Sequence, residues 1–140
     1  MRENKLLYSE GGINIGLLLL RIGIGIAFVM HGFPKLFVPQ VQGYLAATFN
    51  KFGIPGGEIS VYLAGGAEVI GGILLIIGLA FRPASILLAF TMAVALIWHI
   101  KQGHNFMKFS HSLESMILFV TLIFIGPGKL SLDAKFFGER

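Results

Sequence analysis

The sequence predicts an all-α integral membrane protein: a four-helix bundle with a short interfacial or re-entrant helix between the first and second spans. Two observations lead there. Of 140 residues, 55% are hydrophobic and 13% charged, with 19 Gly and a mean hydropathy of +0.80, a balance foreign to ordinary soluble domains and to disordered chains. The apolar residues also gather in four blocks, each near the roughly 20 residues that an α-helix needs to cross the hydrocarbon. Residues 1–140 read as one transmembrane domain, with spans at about 13–33, 59–79, 84–100 and 110–125. Little sequence is left for a soluble catalytic domain.

The first block, Ile13 to Phe33, carries Arg21 inside an apolar run. It lacks an Ala-x-Ala-like cleavage site and is longer than a signal-peptide core, so it reads as a retained helix. Next, Val41, Tyr44, Leu45, Thr48, Phe49 and Phe52 recur at helical spacing on one face, as in a short interfacial or re-entrant helix. Gly53-Ile54-Pro55-Gly56-Gly57 breaks it and returns the chain to the membrane. Ile59 to Leu79 is the second span, interrupted by Glu68, and Ala84 to Ile100 the third, following Arg82-Pro83, which suits a helix start. The fourth, Ser110 to Ile125, ends at the stop signal Gly126-Pro127-Gly128. Gly16, Gly23, Gly25 and Ala27 in the first span, and Ala64 to Ala67, Gly71, Gly72 and Gly78 in the second, let helix backbones approach closely. Gly65-Gly66 beside Glu68 also leaves room for a ligand.

There are 11 Lys and Arg against 7 Asp and Glu, and the basic residues sit between the blocks rather than in one run, which excludes nucleic acid as a partner. Arg2, Lys5, Arg82, Lys129, Lys135 and Arg140 fall on the face holding both termini, against Lys35, Lys51, Lys101 and Lys108 opposite. Six against four favours cytoplasmic termini. With no Cys, any sulfur or redox chemistry needs a bound cofactor or a partner subunit.

Connectivity brings the unusual polar residues to the opposite face. His31 and Lys35 close the first span, Glu68 enters the second, His99 ends the third, His104 is in the loop, and His111 and Glu114 open the fourth. A titratable residue at depth costs roughly 2.5 kcal/mol or more unless paired or hydrated, and marks a functional site by default. At about 1.5 Å per residue, Arg21 lies about 18 Å below Phe33 and Glu68 about 13 to 14 Å below Ile59, so the two are expected to meet. Such a pair would fix helix register, or hold Glu68 ionised for proton acceptance or head-group binding. A cavity is expected at this end, lined by His31, Glu68, His99, His111 and Glu114, with Arg21 beneath it and Lys35 and His104 near its mouth. The alternative is that the histidines point separately into the head-group region.

No catalytic residue is assigned. A metal or haem would have to draw on His31, His99, His104 and His111, but no His-x-x-x-His or Cys-x-x-Cys spacing joins them. Proton relay, or hydrogen bonding to a quinone-like carbonyl, needs only one imidazole and ranks above metal or haem ligation. Phe28, Phe33, Phe37, Trp98, Phe106 and Phe109 surround the same face, as an interfacial aromatic belt or as a flat slot for a ring-bearing ligand.

Leu20-Arg21 followed by Gly25, Phe28, His31-Gly32 and Lys35-Leu36-Phe37 resembles the DoxX family of small four-helix membrane proteins. So do Phe52-Gly53-Ile54-Pro55, Gly66-Ala67-Glu68 with Gly71-Gly72 and Gly78, and the ending from Gly126 to Asp133. The resemblance covers nearly the whole chain, in order. The family takes its name from a subunit of a thiosulfate:quinone oxidoreductase, and other members look like membrane partners in oxidative-stress or electron-transfer systems. The resemblance places Arg21, His31, Lys35 and Glu68 at family-motif positions, whereas His104 and the loop from Lys101 to His111 look peculiar to this sequence.

Three functions therefore compete. One is a membrane subunit of a quinone-linked or oxidative-stress oxidoreductase system, in a cell inner membrane, with a soluble or membrane oxidoreductase subunit as partner. Another is a small carrier or channel for protons, metal ions or a small metabolite, built from the same groups. The third is a ligand-free assembly partner. The lipid bilayer is a partner in each, and a homo-oligomer is compatible with all three.

Overall fold

The computed structural model describes residues 10–138, so Arg2, Lys5 and Arg140 of the charge comparison lie outside it. Four helices are long and apolar enough to cross a membrane: α1 (Glu10–Phe37), α3 (Glu58–Ile77), α4 (Phe81–Lys101) and α5 (Phe106–Ile125). Two shorter helices accompany them, α2 (Pro39–Lys51) and α6 (Leu132–Phe137), and no strand occurs among the described residues. Large apolar side chains such as Leu19, Met30, Leu63, Phe90 and Phe124 stand exposed around the bundle, where lipid tails rather than water would solvate them. The chain is a multi-pass membrane protein.

Helices α1, α4 and α5 outrun their apolar blocks, while α3 stops short of Leu79. α1 continues through Pro34 to Phe37, and Val38 N–H still bonds back to Pro34 O at 3.0 Å. α3 stops at Gly78, whose left-handed φ of 68° lets its N–H and that of Leu79 cap Leu74 O. α4 starts at Phe81 because Asp133, in the first turn of α6, accepts from Ala80 N–H at 2.9 Å and Phe81 N–H at 2.8 Å. That cap comes from more than 50 residues away, and it holds Ala80 at a positive φ of 47°. α5 starts at Phe106, capped by Asn105 Oδ1 on Lys108 N–H.

Glycines bring α1 against α3 with almost nothing between the backbones. A Cβ at Gly25 would lie 2.7 Å from Gly72 O, one at Gly72 would lie 2.6 Å from Gly25 O, and one at Gly32 would lie 2.7 Å from Gly65 O. Gly71, on another side of α3, receives Leu88 of α4. Phe28, Leu75, Phe81, Leu88, Met92, Phe119 and Leu122 form the core among these helices and α5, with the Phe28 and Phe119 rings edge to face at 4.8 Å. α2 lies against α1 and α3. Its expected single face is divided: Ala46 is buried and Leu45 and Phe49 turn inward, while Tyr44 and Phe52 are exposed.

Glycine substitutions should separate these roles. Gly72→Ala should cost about 2 kcal/mol or more, because a backbone carbonyl cannot yield to the methyl group. Gly66→Ala, into open space, should be neutral or stabilising by about 0.5–1 kcal/mol from helix propensity. Thermal melting in detergent distinguishes the two.

Candidate functional site

Arg21 and Glu68 do not meet. Arg21 is buried at the end of the bundle near α6, where Nε donates to Leu75 O at 3.1 Å and Nη2 to Ile76 O at 3.2 Å. Its Nη1 donates to Pro127 O at 2.7 Å and Leu130 O at 3.0 Å. The guanidinium thus satisfies the Ile76 carbonyl, adds a second bond at Leu75 O, which also accepts from Gly78 N–H, and ties the last turn of α3 to the segment after α5. The expected pairing fails on register. Gly32 sits on Gly65 and Gly25 on Gly72, which puts Arg21 level with Leu75, about 10 Å along the helix from Glu68 at 1.5 Å per residue.

Glu68 is buried with Lys35 instead, whose Nζ lies 2.5 and 2.6 Å from the two carboxylate oxygens. Because α1 continues past Phe33, Lys35 falls in its last turn, and Gly65 lets its stem pass close over α3. A low-dielectric site favours this pairing over an isolated charge on either residue.

This ion pair forms one wall of a cavity of about 480 Å³. Leu45 and Phe49 of α2, with Ile54, cover one side; Val61, Ala64 and Ala67 of α3, and Met92, Ala95, Trp98 and His99 of α4, line others. Leu63, Leu87, Phe90 and Val94 also line the cavity and are exposed on the outer surface, so its opening faces the hydrocarbon. The Trp98 indole N–H is buried without a hydrogen-bond partner, a state that a native interior rarely leaves unanswered. His99 Nδ1 lies 2.8 Å from His104 Nδ1, so one ring holds the shared proton and the other accepts it.

Lys35, Glu68 and His99 therefore share one cavity. His104 is attached through His99, and Lys35 lies beside Glu68 rather than at a mouth. His31, His111 and Glu114 are outside it, exposed on α1 and α5. The His31 and His111 rings lie 5.0 Å apart beside Phe28, and His111 is within Coulombic reach of His31, Glu68, Glu114 and Lys35. The residues thus form two neighbouring clusters. Among the described residues no three His, Asp or Glu side chains converge as a metal site would require. Of the aromatic residues read as a belt, Trp98 is the one that lines the cavity; its signal was proximity to His99 at the end of an apolar span.

Double-mutant cycles test both pairings. Lys35→Met or Glu68→Gln alone should destabilise by about 3 kcal/mol, and the double variant should recover at least about 1 kcal/mol. Arg21→Met with Glu68→Gln should be additive within about 0.5 kcal/mol. Chemical or thermal denaturation in detergent reads each cycle.

The DoxX family profile matches residues 16–100, which contain Arg21, the Lys35–Glu68 pair and the whole cavity. Inner membrane protein YphA of Escherichia coli (strain K12) is 32% identical, over 94% of this chain and 99% of its own length. An uncharacterized protein of Haemophilus influenzae is 33% identical over 84% of this chain and 88% of its own. A Bacillus subtilis (strain 168) protein named "Putative oxidoreductase CatD" is 37% identical over 59% of this chain and 58% of its own. No solved structure matches. With that match over more than half of the chain, including the glycines that pack α1, α3 and α4, the chain belongs to the DoxX family.

Proposed function

We propose that the protein binds a quinone or a similar lipophilic redox ligand in the cavity beside Lys35 and Glu68, as the membrane subunit of an oxidoreductase system. The observation that carries this reading is the position of the opening. A ligand entering past Leu63, Leu87, Phe90 and Val94 arrives from the hydrocarbon, which suits a prenylated ring and opposes a hydrated ion or metabolite. The same argument ranks the carrier reading lower. A flat head group would lie among Phe49, Phe90 and Trp98, its carbonyls accepting from the Trp98 indole N–H or the Lys35 ammonium. Reducing a quinone to its quinol takes two electrons and two protons. Lys35, Glu68 and His99 can hold and pass protons, while the electrons would come from a bound cofactor or a partner subunit, since the chain has no Cys. The oxidoreductase name of the Bacillus subtilis relative is consistent with such a system.

The E. coli relative supports a bacterial inner membrane as the location, and the six-to-four basic bias supports cytoplasmic termini. The cavity would then lie toward the periplasmic half of the bilayer.

The chain has one Trp, and it lines the cavity, so intrinsic fluorescence reports occupancy directly. A short-chain quinone titrated into protein in nanodiscs should quench Trp98 saturably, and Ala67→Phe, which fills the cavity, should abolish saturation while leaving the melting temperature near wild type. Quenching that is linear and identical in both proteins would refute the site. For orientation, an impermeant maleimide should label Lys101→Cys on intact cells and Lys135→Cys only after permeabilisation; the reverse pattern would invert the topology.

A further inference from the structure

Outside that cavity, α1 packs on α3 and α5 packs on α4, leaving a shallow seam between α1 and α5 crossed by Phe28 against Phe119 and His31 against His111. Along it, His31, His111 and Glu114 are all exposed on the outer surface of membrane-length helices. At 1.5 Å per residue Glu114 lies about 12 Å into α5 from Phe106, and His31 about 9 Å before the end of α1 at Phe37. Glu114 has no hydrogen-bond or ion-pair partner among the described residues. Counted from the apolar blocks, which end at Phe33 and begin at Ser110, His31 and Glu114 lie about 3 and 6 Å in, so the polar end of the seam sits in the outer part of the bilayer, where an exposed acid and two imidazoles can be met by head groups or by another protein.

A second feature belongs to the same surface. Gly23, Ala27 and His31 follow at four-residue steps on α1, with Gly16 two turns before Gly23. A Cβ at Gly16 or Gly23 would meet nothing within 4 Å, whereas one at Gly25 or Gly32 would strike α3. The outward glycines are thus unused by the bundle's own packing and leave a shallow track for another helix.

We infer that this α1–α5 face is an interface between two copies of the chain, in which Glu114 of one copy meets His31 and His111 of the other. The occupant follows from the chemistry of the patch. It carries one acid and two imidazoles, so a two-fold axis matches each acid with the partner's imidazoles, as an isologous contact requires. A partner of one charge sign would leave one kind of group unanswered. The small-residue track on α1 packs equally well against its own symmetry mate. The interface lies away from the residues lining the quinone cavity and does not depend on that ligand.

Because the chain contains no Cys, a single introduced thiol can form a disulfide only with another molecule. Oxidation of membranes carrying Ala27→Cys should give a covalent homodimer, and Ile70→Cys, exposed on α3, should not. Glu114→Gln should shift the monomer–dimer midpoint in detergent to at least about tenfold higher concentration, with the melting temperature of the monomer unchanged. Gly23→Leu should also weaken the dimer, by blocking the track without removing charge. Four outcomes overturn the proposal: a monomer at all concentrations with no Ala27→Cys link, equal linking at Ile70→Cys, a dimer indifferent to both substitutions, or an Ala27→Cys link to a different protein.

Discussion

The close approach of α1 and α3 sets everything else in this molecule. Backbone meets backbone at Gly25 with Gly72 and at Gly32 with Gly65, so the two helices can neither rotate nor slide by a residue without a clash. In lipid, where burial of apolar surface does not drive helices together, this dispersion contact is itself the source of association. It also sets the level of every polar group that the two helices carry. Lys35 comes to Glu68 and Arg21 comes to the end of α3 because the glycines allow no other register.

That register sorts a buried cation and a half-buried one into different work. Arg21 finds five-fold donor geometry useful among carbonyls at a helix end, where it links α1, α3 and the segment from Pro127 to Leu130. Lys35, a compact charge on a flexible stem, closes on both oxygens of Glu68 beside a cavity that opens to the bilayer. One cation is thereby structural, and the other sits where a ligand carbonyl or a transferred proton could reach it. The cavity exists because α2 covers a gap between α3 and α4 that Ala64, Ala67 and Ala95 leave unfilled.

The fold was legible because hydrophobic block length is a direct physical constraint. Four spans and the helix between the first two follow from composition and spacing alone, and so does close packing at Gly25, Gly65, Gly71 and Gly72, whereas Gly16, Gly23 and Gly66 meet no neighbour and Gly32 packs on α3 instead. Helix ends were less so. Pro34 and Lys35 look like an end after Phe33, yet the helix runs on, and the resulting shift moves Arg21 away from Glu68. The start of α4 depends on Asp133, which no local pattern connects to Ala80. Within the candidate site, sequence brought the polar residues to one end, but not which side of each helix they occupy. Thus His31, His111 and Glu114 fall on the seam while Glu68 and His99 line the cavity. Trp98 stood out from the other aromatics only when the cavity wall placed it next to His99 and left its N–H unpaired.

The central claim is that a buried, uncommitted indole N–H and the Lys35–Glu68 pair await a ligand that enters from the bilayer. With one Trp in the chain, a ¹⁵N-labelled sample in nanodiscs gives a single indole cross-peak. Titration with a short-chain quinone should move that proton downfield to a plateau, as a new hydrogen bond to a carbonyl requires. An indole resonance that stays in place while quinone saturates the membrane would contradict the account.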